Sequence, residues 1–299
     1  MTGIEHHRQE SVPPWSMAIA AMLGVQLGAA WATVPIAAIG PAATAWLRLT
    51  AAALIFIVIA RPSLREVRRE DLPAIVGLGV GSALMGLCFL SAIARIPLGT
   101  AVSIEFLGPL LVAAVWSHNK RALVWPLLAM AGVVVLTEPW HGHIDIVGVG
   151  YAVGAAVGWG IYIVLTQRVG DRFSGLQGLA LTVPIAALTT AVVGIPHAIG
   201  HLNVRILAVS LGLGLLVVVP FALEMAALRA MTRQAFGTLM AVEPGIGVLI
   251  GLVVLHQYPT LFQAAGILLV VIAGVGSQRG SRRTPAVSDT PEALPYPPQ

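Results

Sequence analysis

The amino-acid sequence predicts an all-α integral membrane protein, because of its composition and its long apolar runs. Of the 299 residues, 57% are hydrophobic and 10% are charged, and the mean hydropathy is +0.88. A typical soluble domain has about 25% charged residues, so this chain could not cover a surface that faces water. Apolar runs of about 16–24 residues recur along the chain, which is close to the length that a helix needs to cross a bilayer.

Ten transmembrane helices are predicted when the chain is divided at charged residues and at Pro or Gly turns, and the fifth is the shortest. Five helices belong to a first repeat (15–138) and five to a second repeat (146–278), after a cytoplasmic N-terminal tail (1–14). The tail at 280–299 has five prolines and little to bury, which predicts disorder. The predicted helices cover residues 15–34, 42–60, 73–94, 97–116, 122–138, 146–166, 175–197, 205–228, 234–255 and 260–278.

The distribution of basic residues predicts the orientation of the chain in the membrane. With the N-terminus in the cytoplasm, 14 of the 17 Lys and Arg residues lie on the cytoplasmic side. Only Arg95 and Arg205 fall outside, and Arg48 lies within the second helix. The basic residues thus concentrate in the loops on the cytoplasmic side, in agreement with the positive-inside rule. We therefore expect a multi-pass membrane protein with both termini in the cytoplasm. The basic residues are scattered in short loops and form no patch for nucleic acid.

A repeated pattern predicts that the two halves are inverted relative to each other. An offset of 135 residues places Pro109 on Pro244, and each half contains five predicted helices. Since five is odd, the second half enters the membrane from the opposite side. Inverted repeats are typical of secondary transporters, whose substrate site lies between the halves near the middle of the bilayer.

Three carboxylates lie far from water in the predicted helices, and an ionisable side chain at such depth is a candidate functional residue. Glu105 and Glu243 lie close to Pro109 and Pro244, which are predicted to break their helices. Glu224 lies nearer the cytoplasmic end. These carboxylates could bind a substrate ammonium or a proton. The alternative is that a neutral or salt-bridged carboxyl simply holds helices together.

Other polar and aromatic residues complete the predicted site. Arg48 could meet a substrate carboxylate, although a structural pair with one of the glutamates is the favoured interpretation. Gln26 and Tyr162 occupy nearly equivalent places in the two halves, and Trp159 shares a helix face with Tyr162. Their symmetry favours a role in lining a cavity.

Metal and cofactor chemistry find little support. His141 and His143 lie near Asp145, but they are expected in a solvated loop with too few ligands for a structural metal site. The single cysteine, Cys88, cannot form an intramolecular disulfide. No phosphate-binding glycine loop, nucleophile elbow or carboxylate-rich metal motif is present. We therefore predict no cofactor, no metal and no enzymatic activity.

Three segments resemble the EamA branch of the drug/metabolite transporter superfamily. They read IPLGTAVSIEFLGPLLVA at 96–113, GWGIYIVLTQRVG at 158–170 and LEMAALRAMTRQAFGTLMAVEPGIG at 223–247. The last two are similar to the subgroup that exports amino acids, and the resemblance extends over residues 15–278. The chain lacks the lysine that the broader family often has late in its first helix, and also the Tyr-Ala-Leu-Lys-like end of the third.

The resemblance implies ten helices as two inverted EamA repeats around a central cavity. It also implies proton-driven export of small amino acids such as threonine or homoserine across the bacterial plasma (inner) membrane. The expected partners are the amino acid, protons and the lipid bilayer, and a homodimer is left open. The alternatives are an exporter of another metabolite or drug on the same fold, a membrane enzyme and, last, a scaffold.

Overall fold

A computed structural model describes residues 13–116, 120–138, 140, 145–173, 176–231 and 233–279, and this part of the chain is helical without strands. The tail at 280–299 and the residues His141 and His143 lie outside the described residues. The α-helices are α1 (Pro14–Ala60), α2 (Leu72–Ile93), α3 (Leu98–Glu105), α4 (Leu107–Val115), α5 (Val124–Thr137), α6 (Ile146–Arg172), α7 (Gln177–Ala198), α8 (Val204–Ala230), α9 (Arg233–Met240), α10 (Glu243–Leu255) and α11 (Leu261–Arg279).

The predicted all-α membrane fold is confirmed, since eight helical segments in the described residues are long and apolar enough to cross a bilayer. The ten-helix count and the inversion stay predictions. The fifth predicted span corresponds to α5, which has 14 residues. At 1.5 Å per residue such a helix is about 21 Å long, shorter than a hydrocarbon core of about 30 Å.

The first two predicted spans lie within α1, which has 47 residues and an interruption at Gly40. Gly40 has φ 78° and ψ 165°, outside the helical region. Pro41 explains the interruption, because the ring of a proline disfavours helical geometry in the residue before it. Glycine accepts the positive φ without steric cost. The chain therefore bends between two helical segments, 14–39 and 41–60.

Glycines of α1 permit close packing of this helix against α8. A Cβ added to Gly24 would lie 2.8 Å from Cγ of Pro220, and one added to Gly28 would lie 3.2 Å from Cβ of Leu216. The contact at Gly24 is closer than a side chain allows and that at Gly28 is tight, so the two helices approach closely at these small residues. Such contacts drive helix association in membranes, where packing replaces the hydrophobic effect.

Ion pairs connect α2 and α6 at both of their ends. Arg95, just after α2, lies 3.1 Å from the carboxylate of Asp145, which caps the N-terminus of α6. Arg172, at the end of α6, lies 3.5 Å from the carboxylate of Asp71, which precedes α2. The two helices therefore run antiparallel, and ion pairs join them beyond the ends of their apolar segments.

Candidate functional site

Glu105 is the last residue of α3, at an interruption in the apolar segment Leu98–Val115. Phe106 separates α3 from α4, which begins at Leu107, so Pro109 is the third residue of α4. The helix is therefore interrupted one turn before the proline and not at it. The reason is that a proline ring crowds the carbonyl four residues earlier, here that of Glu105, but is tolerated in the first turn of a helix.

The second half of the chain has a similar interruption. Ala241 and Val242 separate α9 from α10, whose first two residues are Glu243 and Pro244. Proline is favoured near a helix start, since its missing N–H would have no intrahelical partner there. Glu243 therefore occupies the first turn of α10, where the helix dipole favours a negative charge.

A cavity of about 190 Å³ lies between the two interruptions, with walls from α1, α2, α3, α6, α7, α8, α9 and α10. Glu224 does not line it, although the neighbouring turn of α8 does. The remaining wall is mostly apolar. The predicted site residues that line the cavity are Gln26, Arg48, Glu105, Trp159, Tyr162 and Glu243.

The side chains of Gln26 and Glu243 form a hydrogen bond in the cavity wall. The side-chain amide of Gln26 donates a hydrogen bond of 3.2 Å to Oε1 of Glu243, and the two residues are 1% and 5% exposed. Oε1 of Gln26 and Oε2 of Glu243 have no hydrogen-bond partner. A buried polar atom without a partner costs about 1–3 kcal/mol, so a site that retains two of them is suited to a ligand that donates hydrogen bonds.

Arg48 is the basic side chain of this cavity, and its favoured structural pair with a glutamate stays a prediction. No ion pair within 4.0 Å joins Arg48 to Glu105 or Glu243 in the described part of the chain. Its Nε is buried and has no partner. The guanidinium instead lies against α2, where a Cβ added to Gly86 would be 3.2 Å from Nη2. The missing side chain of this glycine leaves the room that Arg48 occupies.

Aromatic rings form part of the cavity and its surroundings. The ring of Trp159 packs edge-on against Phe106, with centroids 6.1 Å apart, and Tyr162 lies 6.5 Å from Phe221. Phe221 and Gly86 line the cavity but were missed from the sequence. Phe221 precedes Glu224 by three residues and so shares its helix face, which was an available signal. A glycine in an apolar helix gives no comparable signal.

Two further observations concern places outside the predicted site. A second cavity of about 290 Å³, near residues 257–260, contains none of the predicted site residues. Within the described residues no group of three His, Cys, Asp or Glu could hold a metal ion.

Comparisons with known proteins match this chain to a transporter family and to named exporters. The sequence model described as "EamA-like transporter family" matches residues 146–276. The threonine/homoserine exporter RhtA of Salmonella typhimurium (strain SL1344) is 31% identical over 285 residues, 92% of this chain and 94% of the relative. RhtA of Escherichia coli (strain K12) is 32% identical over 286 residues, 92% of this chain and 95% of the relative. A solved crystal structure with 21% identity and a TM-score of 0.57 covers 87% of this chain and 98% of its own, which supports the fold alone.

Proposed function

Because the chain belongs to the EamA-like transporter family, we propose that it is a secondary transporter that exports small amino acids, such as threonine or homoserine, across the bacterial inner membrane in exchange for protons. The named relatives are transporters, so the chain is a transporter and not an enzyme. The observation that supports the choice of substrate is a cavity lined by buried polar atoms of both kinds without hydrogen-bond partners, Nε of Arg48 and Oε2 of Glu243.

The proposed exchange depends on competition for a carboxylate. A zwitterion in an apolar cavity needs an acid for its ammonium and a base or helix terminus for its carboxylate. Glu105 or Glu243 can bind the ammonium or a proton, but one carboxylate cannot hold both. Helix interruptions beside these residues expose backbone groups that can also contact the ligand. The cavity then opens to the two sides of the membrane in turn, so that an amino acid leaves the cell and protons return.

We further propose ten membrane crossings arranged as two inverted five-helix repeats, with both termini in the cytoplasm. The bend at Gly40, which divides the 47 residues of α1, supports two crossings there. Two interrupted helices, one per half, carry Glu105 and Glu243. Discontinuous helices of this kind often form the midplane site of inverted-repeat transporters.

Efflux of preloaded labelled threonine and homoserine tests this function in cells that express the protein. We expect faster efflux than in empty cells, and we expect a protonophore, Glu105→Gln or Glu243→Gln to abolish the increase. Glu70→Gln is the control, because Glu70 lies in an exposed ion pair with Arg68. Efflux equal to that of empty cells would exclude these substrates, and efflux that persists in both cavity variants would exclude the proposed site.

A second candidate is export of another metabolite or drug on the same fold. The aromatic side chains of Phe89, Trp159, Tyr162 and Phe221 line the cavity and could stack on a planar ligand. The partnerless Nε of Arg48 and Oε2 of Glu243 in the same cavity favour a zwitterion instead. A screen of planar and amino-acid substrates with the same efflux assay separates the two candidates.

A further inference from the structure

We infer that the cavity binds its amino acid in one fixed orientation, with the substrate carboxylate on Arg48 and the substrate ammonium between Gln26 and Glu243. This inference rests on the proposed function. It assigns a separate role to each end of the cavity and names Arg48 as the residue that recognises the carboxylate.

The ammonium end follows from the unpaired acceptors. The hydrogen bond from Gln26 to Glu243 uses one oxygen of the carboxylate and leaves Oε2 of Glu243 and Oε1 of Gln26 without partners. Both side chains are almost completely buried. Two neighbouring acceptors, one of them on a carboxylate, match an ammonium group, which has three N–H donors.

The carboxylate end follows from the unpaired donor. Arg48 presents a planar set of N–H donors that matches the two oxygens of a carboxylate. Its Nε has no partner, and neither glutamate of the cavity forms an ion pair with it. The guanidinium lies beside Gly86, at the α2 side of the cavity. A carboxylate from the substrate would supply an acceptor for Nε of Arg48.

In this orientation the bound substrate would also contact separate parts of the fold. Gln26 lies before the bend at Gly40 and Arg48 lies after it, while Glu243 opens α10 in the second half. A zwitterion that reaches from Arg48 to Glu243 therefore joins both segments of α1 to the second half of the chain. The apolar remainder of the cavity is left for the substrate side chain.

Purified protein in proteoliposomes tests the orientation by competition against labelled threonine exchange. The competitors are unlabelled threonine, threoninol, which lacks the carboxylate, and 3-hydroxybutanoate, which lacks the amine. In the wild type we expect each truncated competitor to be at least about tenfold weaker than threonine, because a hydrogen bond to a charged group is lost. Arg48→Gln should remove the discrimination against threoninol alone, and Gln26→Leu should reduce the discrimination against 3-hydroxybutanoate alone.

Thr50→Val is the matched control, because Thr50 lies on the same segment of α1 with an unpaired buried hydroxyl but does not line the cavity. It should keep both discriminations. If Arg48→Gln does not fold, Arg48→Lys keeps the charge without the planar fork and should retain a reduced preference for threonine over threoninol. Unchanged discrimination in a folded Arg48 variant would overturn the orientation. Wild-type protein that exchanges no amino acid would instead overturn the proposed function.

Discussion

The position of Arg48 depends on a single glycine of the neighbouring helix. Alanine at Gly86 would place its Cβ 3.2 Å from Nη2 of Arg48, so the guanidinium must shift. We expect Gly86→Ala to raise the KM of the exported amino acid about fivefold, because overpacking of this kind costs about 1 kcal/mol. Transport kinetics in proteoliposomes provide the measurement.

Gly81→Ala is the control for this substitution, since its Cβ would meet Cγ2 of Ile161 at 3.1 Å, an equally tight contact on the same helix that is away from the cavity. It should leave the KM unchanged. Equal KM values for the two alanine variants would contradict a role for Gly86 in positioning Arg48.

Individual site residues could be chosen from the sequence, but their pairings could not. Polar side chains are rare in membrane helices, so Gln26, Arg48 and Glu243 were conspicuous in the sequence alone. The hydrogen bond between Gln26 and Glu243 joins residues 217 positions apart. Whether Arg48 meets a glutamate depends on the rotation of each helix about its axis, which packing contacts such as that at Gly86 decide.

Among the helices, the interrupted segment that carries Glu105 is held against α6 by a glycine. A Cβ at Gly108 of α4 would overlap the carbonyl oxygen of Ala156, a backbone atom that cannot rotate away. We expect Gly108→Ala to lower the yield of folded protein strongly, because overpacking a backbone contact costs at least about 1–3 kcal/mol. Detergent size-exclusion chromatography of the variant measures this yield.

The matched control is Gly150→Ala on α6, where nothing lies within 4 Å of the added Cβ. This variant should fold at least as well as the wild type, since alanine is a better helix former than glycine by about 1 kcal/mol. A normal yield of Gly108→Ala would show that α4 and α6 are further apart than described.

Asp145 predicts a pH dependence for the stability of the N-terminal end of α6. The hydrogen bond from the backbone N–H of Gly148, and then the Arg95 side chain, lower the pKa of this carboxyl below its ordinary value of 3.8. Because the pKa is lower in the folded state, the stabilisation is complete above the ordinary value and disappears as the pH falls through the folded one. The difference in melting temperature between the wild type and Asp145→Asn should therefore be present at neutral pH and shrink in acid.

The control for Asp145 is Glu70→Gln, which removes an exposed ion pair with Arg68 in the segment between α1 and α2. Exposed pairs contribute little, about 0–1 kcal/mol, so this variant should melt close to the wild type. A difference for Asp145→Asn that stays constant down to strongly acidic pH would contradict the role of the ionised carboxylate.

Helix boundaries could be predicted from apolar length and from proline, with two instructive exceptions. The pair Gly40–Pro41 joins two predicted spans into one bent helix, because the intervening residues are helical on both sides of a single glycine. Pro109 and Pro244 marked the interrupted helices, but the interruptions lie upstream, since proline is tolerated in the first turn that follows a break.

For the whole molecule, the proposed topology can be tested with single cysteines in a Cys88→Ala background. Ser63 and Tyr258 are exposed and fall in loops that should face opposite sides of the membrane. In intact spheroplasts, we expect an impermeant maleimide to label Tyr258→Cys but not Ser63→Cys, which should react only after permeabilisation. Labelling of Ser63→Cys in intact spheroplasts would exclude the cytoplasmic placement of its loop.

The ion pairs at both ends of α2 and α6 predict that these helices move together during transport. Arg95–Asp145 and Asp71–Arg172 would both have to break if the helices separated. A Cβ at Gly154 of α6 would lie 3.6 Å from Cβ of Cys88 and 3.0 Å from its Sγ, within the range of about 3.5–4.5 Å for Cβ atoms of a disulfide. Gly154→Cys should therefore form a disulfide with Cys88 on oxidation.

We expect the oxidised Gly154→Cys protein to retain threonine exchange, because a bond between two helices that move as one unit opposes no step of the cycle. The extent of disulfide formation is measured in denatured protein, as the fraction of molecules in which neither thiol reacts with a maleimide reagent. Gly150→Cys, one helical turn away with open space around it, should keep its thiols free. Exchange that stops on complete oxidation and returns on reduction would mean that α2 and α6 separate, and that their ion pairs open and close as part of transport.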